Sequence, residues 1–134
     1  MWPQKASDEE QLRQLIEEMS DAMEEKDLAG VLGPISEQYQ DKEGLGREAI
    51  RGFLFRQFRS RGGLSILLSP IAVQIEGDKA SAEFEAAVLE GAKGSAIGLP
   101  VDGDALHFQV DFQKEDGEWK VISHSREKAM QPTQ

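Results

Sequence analysis

The sequence predicts an α+β domain with helices in its first half and an antiparallel sheet in its second. Three observations carry this. Up to about residue 60, apolar residues recur at spacings of three and four, the period of helices that bury one stripe. Beyond Gly62 and Gly63 the period drops to two, as in strands with one buried face. Near the end, Asp116-Gly117 sits between two alternating runs, the strongest short signal for a β-hairpin.

The first helix starts at a capping box, in which the Ser7 hydroxyl and the Glu10 carboxylate each satisfy a backbone amide with no helical partner. Leu12, Leu15, Ile16, Met19, Ala22 and Met23 form its apolar stripe, and it is expected to reach about Lys26. Glu9, Glu17, Glu18, Asp21, Glu24 and Glu25 fall on the other side and read as a solvated face. Asp27 is a cap for a short second helix through Val31 and Leu32, which Gly33 and Pro34 must stop. A loop with Tyr39, Asp41, Gly44 and Gly46 leads to a third helix over about Arg47 to Arg59. Its inner stripe is Ile50, Phe53, Leu54, Gln57 and Phe58. Gly62 and Gly63 are expected to end it through positive φ.

Four strands are expected. Along Leu64 to Glu76 the odd positions Leu67, Ile71, Val73 and Ile75 define one face. Ala82, Phe84, Ala86 and Val88 alternate in a second strand, and Gly91 to Gly103 read as a long loop. Leu106, Phe108, Val110 and Phe112 alternate in a third, and the last runs from Glu118 to about Arg126. A two-residue turn at Asp116-Gly117 sets Phe112 opposite Val121, Val110 opposite Ser123 and Phe108 opposite Ser125. In that register Ser123 and Ser125 face inward while His107, Asp111 and His124 face outward, an assignment that a one-residue slip inverts. The domain is expected over residues 7–126, with a linker at 1–6 and a frayed tail at 127–134.

Composition removes several functions. With 15 basic against 25 acidic residues the net charge is -10, which repels polyanions, so nucleic acid is not an expected partner. The chain has no cysteine, which excludes disulfides and thiolate chemistry. No apolar run approaches the roughly 20 residues of a spanning helix, and Met1 to Ala6 lack the regions of a signal peptide.

The hairpin Asp116-Gly117-Glu118-Trp119-Lys120-Val121, placed after three helices, resembles the nuclear transport factor 2-like superfamily over about Asp8 to Arg126. The segment Ile35-Ser36-Glu37-Gln38-Tyr39-Gln40-Asp41 with Gly44 looks like the loop after the second helix in small bacterial members. The resemblance implies a cystatin-like cone, with three helices in the concave face of a curved, mainly antiparallel four-stranded sheet and a pocket at the open end. It also implies a homodimer through the sheet and an exported location rather than a cytoplasmic one. The superfamily holds isomerases, epoxide hydrolases, cyclases and dehydratases beside noncatalytic members, so the fold alone assigns no reaction. No full catalytic motif of those enzymes aligns here.

A small apolar ligand between helices and sheet is therefore the expected partner. Its wall is expected from Phe58, Phe84, Phe108, Val110, Phe112 and Trp119, with polar points at Tyr39 and Ser123. Tyr39 and Asp41 are the candidate catalytic donor and base for an isomerase, hydrolase or cyclase alternative. The spacing of His107, Asp111 and His124 matches no metal-ligand pattern, so neither a metal nor another cofactor is expected. Gly91, Gly94 and Gly98 lack a phosphate-loop lysine. Arg47, Arg51, Arg56, Arg59 and Arg61 are expected to pair with the acidic first helix or to complement the end of the third. Leu68, Ala72, Ala87, Leu89 and Ile122 suggest an outer sheet face for a partner or a second copy.

Overall fold

The computed structural model describes residues 7–90 and 105–128. The expected linker 1–6, the loop 91–103 and residues 129–134 lie outside the described residues. Helix α1 spans Asp8–Glu24, α2 Leu28–Leu32 and α3 Arg47–Ser60; strands are β1 Leu64–Leu68, β2 Ala72–Glu76, β3 Lys79–Glu90, β4 Ala105–Glu115 and β5 Glu118–Lys128. Five strands among the described residues thus replace the four expected, and β5 runs two residues beyond Arg126.

The start of α1 is the capping box read from the sequence: the Ser7 hydroxyl accepts from the Glu10 amide at 3.2 Å and donates to its carboxylate at 3.0 Å. Asp8, Glu9 and Glu10 also place negative charge at the positive end of the helix dipole. The helix ends at Glu24, short of the expected Lys26, which takes a left-handed φ of 56° two residues on. Asp27 caps α2 by accepting from the Gly30 amide at 3.1 Å. A Cβ on Gly30 would stand 2.6 Å from the Asp27 carboxylate and 2.9 Å from the Ala22 Cβ, so only glycine lets α2 approach α1 this closely. The end of α3 departs from expectation: Arg61 leaves in extended backbone, and among the described residues the positive-φ glycines are Gly44, Gly77 and Gly117. Asp116 and Gly117, at φ 51° and 83°, make the expected tight turn between β4 and β5.

The sheet has the order β1-β3-β4-β5, with β2 pairing β3 further along the same edge, and the strand pairs are antiparallel. Two single-residue insertions govern which side chains face the helices. Leu68 pairs Ala86 while Ala72 pairs Glu83, so three residues of the first chain segment stand against two of β3. Pro70 lies in that gap and has no amide for the ladder. Ser69 bridges it, its amide donating to the Glu85 carbonyl and its hydroxyl accepting from the Glu85 amide, both at 2.8 Å. The phase therefore flips. Leu64, Ile66 and Leu68 pack inward on β1, Ile71 and Val73 inward at β2, and Leu67 points out with 55% exposure, contrary to the expected odd-numbered face. Leu68 likewise leaves the expected outer patch and joins the core.

The second insertion is in β5. Phe112 pairs Val121 as expected, but Asp111 pairs Ser123, leaving Ile122 extra, and beyond it Val110 meets His124 and Phe108 meets Arg126. Such bulges sharpen the local twist and bend of a sheet. The core behind it centres on Leu12, Ile16, Leu54, Ala82, Phe84 and Phe112. Phe112 is wholly buried, which contributes roughly 1.5–3 kcal/mol relative to exposure.

Candidate functional site

The segment after α2 is held against the edge of β5. The Val121 amide donates to the Pro34 carbonyl at 2.8 Å, the Ser36 amide to the Val121 carbonyl at 2.9 Å, and the Gln40 amide to the Ile122 carbonyl at 3.1 Å. Arg47, at the first turn of α3, fastens the same segment by donating to the carbonyls of Leu32 at 2.9 Å and Ile35 at 3.1 Å. It acts there rather than on α1 or the end of α3. Tyr39 is consequently buried under the sheet.

Its phenol is hydrogen-bonded to Nδ1 of His124. The expected outward placement of His124 is corrected by the Ile122 insertion, which turns the even-numbered residues of β5 beyond it toward the helices. The imidazole stacks on Phe108 at 6.4 Å between ring centroids, and Phe108 stacks on Phe84 at 5.4 Å. Arg126, two residues further on the same face, carries its guanidinium over the Phe53 ring at 5.8 Å. Six side chains from the loop, three strands and α3 thereby meet at one end of the inner face.

Burial pushes the Tyr39 phenol up to about 12; the Asp41 charge adds to this, while a His124 backbone hydrogen bond and Arg126 oppose it. Burial also lowers the His124 pKa, with Arg126 adding to the effect and Asp41 opposing it. Near neutral pH the pair is thus a protonated phenol beside a neutral imidazole. Asp41 uses Oδ1 to accept from the amides of Glu43 and Leu45, each at 2.9 Å, which makes it the bracket of its loop.

The other expected wall residues divide. Phe58 and Val110 are partly buried against the core, and Phe84 and Phe108 form the ring stack. Phe112 has no exposed surface, and Trp119 is buried with its indole donating to Asp8 at 3.1 Å. Ser123 is not an inner polar point: its hydroxyl donates to Asp111 at 2.8 Å, because the insertion moved it to the other phase. His107 lies between Glu83 and Glu85, at 3.7 Å and 3.9 Å, away from His124. Among the described residues, no group of three or more His, Asp or Glu side chains is arranged to hold a metal ion. None of their helices is long and apolar enough to cross a membrane.

Two hollows among the described residues lie elsewhere. One, of about 390 Å³, is an open groove between α1 and the β4–β5 turn, lined in part by Gln11, Leu15, Pro34 and Trp119. The other, of about 420 Å³, includes Ser36, Arg47, Glu115 and Lys120. Neither includes Tyr39 or His124. The sequence carried no sign of their pairing: Tyr39, the only tyrosine, lies between Gln38 and Gln40, and His124, one of two histidines, lies between Ser123 and Ser125.

Solved structures share this architecture. A protein of unknown function with a cystatin-like fold from Nostoc punctiforme superposes with a TM-score of 0.74 at 17% identity, covering 96% of both chains. A candidate dehydratase of the nuclear transport factor 2-like family from Streptomyces avermitilis gives 0.76 at 17% identity, covering 92% of this chain and 97% of that one. A candidate scytalone dehydratase from Novosphingobium aromaticivorans gives 0.72 at 15% identity, with 91% and 84% covered. At these identities the likeness is one of fold. Among curated proteins, none matches the sequence. The model of the SnoaL-like domain matches residues 4–125, nearly the whole chain. The chain therefore belongs to the SnoaL-like domain family, within the nuclear transport factor 2-like superfamily.

Proposed function

We propose that the protein binds a small aromatic molecule against the inner face of its sheet and that His124 donates a hydrogen bond to an oxygen of that molecule. The observation that carries this reading is the His124 imidazole itself, stacked on Phe108 and bonded through Nδ1 to Tyr39. The phenol stays protonated near neutral pH and so has a hydrogen to give to Nδ1. The imidazole hydrogen then sits on Nε2, and a neutral imidazole in that tautomer is a donor to a carbonyl, phenol or carboxylate oxygen. Aromatic rings beside it supply the apolar contact that such ligands need.

Thermal denaturation with a panel of aromatic ketones, phenols and carboxylates tests this. Ligands should raise the midpoint of the wild type and lose most of that effect in His124→Phe, which keeps the ring stack but has no donor. A panel without effect, or one that stabilises both proteins equally, contradicts the reading.

Proton-transfer catalysis is a second reading, favoured by the Asp41 charge acting on both Tyr39 and His124 and by the dehydratases among proteins of this fold. It requires a base, and Asp41 is the carboxylate on hand. Slow conversion of a bound panel member by the wild type, abolished in Asp41→Asn with binding retained, supports it; binding without conversion favours the first reading.

A further inference from the structure

The inner-face site has a cation that neither the Tyr39–His124 pair nor the core requires. Arg126 stands opposite Phe108 in the sheet and lies over Phe53, itself 41% exposed. The structure gives it no carboxylate within ion-pair distance among the described residues, although the chain holds 25 acidic residues against 15 basic ones. Other cations of the described residues have evident structural work. Arg47 binds two carbonyls, Arg13 pairs Glu9 at 2.7 Å, and Lys114 pairs Asp8 at 3.1 Å. Arg126 instead presents an open fork of donors at the exposed end of an aromatic surface.

Residues two apart on a strand face the same way, so Arg126 and His124 are spaced by roughly 6.5 Å along β5. That is about the width of one aromatic ring with its substituent. A guanidinium matches a carboxylate bidentately, and such a bond is stronger than one between neutral groups. The cation–π contact with Phe53, 5.8 Å from ring centroid to Cζ, restrains the guanidinium and so reduces the freedom lost when an anion binds.

We propose that Arg126 selects an aromatic carboxylate as the ligand class, holding the carboxylate while the ring lies against Phe108 and His124 meets a second oxygen. This rests on the inner-face reading of the function and narrows it from aromatic oxygen compounds to aromatic acids. The acidic surface makes the assignment sharper. With a net charge of -10 an anion gains nothing from the protein's overall field, so selection for it must come from a local cation.

Calorimetric titration with naphthalene carboxylate and with the isosteric naphthalene carboxamide separates the two claims. The wild type should bind the carboxylate about tenfold or more tightly than the carboxamide, as expected of one charge-assisted bond. Arg126→Gln should erase most of that difference by weakening the carboxylate far more than the carboxamide, whereas Arg126→Lys should retain part of it. Added salt should weaken only the carboxylate, an arm that needs no variant. Equal affinity for the two probes, unaffected by Arg126→Gln or salt, overturns the role of Arg126 and leaves the inner-face reading standing. Failure of both probes to bind overturns the inner-face reading and this proposal together.

Discussion

Tyr39 and His124, 85 positions apart, share a hydrogen bond beneath the sheet because Ile122 is an inserted residue. Without it, period-two alternation would turn His124 outward and leave the phenol facing Ser123. The joining of loop and strand is therefore a property of the register.

The phenol gives the first prediction. Tyr39 is the only tyrosine, so the ultraviolet change on alkaline titration reports it alone. Its ionisation should centre on about 12 rather than 10.0 while the protein is folded. With a raised folded-state pKa, its linkage contribution to stability is full below 10.0 and lost as pH rises toward 12. A folded-state midpoint near 10.0 would mean that the ring is solvated. Tyr39→Phe should cost about 1–3 kcal/mol in urea denaturation, since it leaves the imidazole nitrogen without its partner.

His124 gives a pH dependence of the opposite sense. Its folded-state pKa lies below 6.5, so the unfolded chain binds the proton more readily. Its contribution is complete above pH 6.5 and is lost as pH falls through the folded-state value. Denaturation midpoints from pH 7 down to roughly pH 5, above the range where most carboxylates titrate, should therefore decline more steeply in wild type than in His124→Gln. Parallel profiles would contradict the burial of His124.

Arg47 should matter to the site without touching it. Its bonds to the Leu32 and Ile35 carbonyls hold the segment that carries Tyr39. Arg47→Met should lower stability by roughly 2 kcal/mol and shift the alkaline midpoint of Tyr39 toward 10.0 as the ring gains water. An unchanged tyrosine titration would show that the β5 backbone bonds alone suffice.

Much of the fold was legible in the sequence for local reasons. Ser7 and Glu10 are three residues apart and make their cap without help from the rest of the chain, and Asp116-Gly117 sets its turn by backbone preference alone. The site was less legible because facing depends on counting residues across two strands. The odd residues Trp119, Val121, Ser123 and Ser125 and the even residues Lys120, Ile122, His124 and Arg126 each mix polar with apolar, so neither phase announces the flip at Ile122. Pro70 did mark the other break, yet the apolar residues on both sides of it concealed the change from even to odd. Tyr39 was recognisable as a candidate. Its partner was not, because it is chosen by an insertion with no glycine to signal it.

The central claim is that ligand meets His124 on the inner face, and nitrogen NMR of the two imidazoles during titration with naphthalene carboxamide tests it most directly. His107, beside Glu83 and Glu85, is the internal control. The unliganded protein should show His124 with its hydrogen on Nε2, and that resonance should move saturably with added probe while His107 stays still. Saturable binding by calorimetry with the His124 nitrogens unmoved would place the ligand elsewhere and contradict the account.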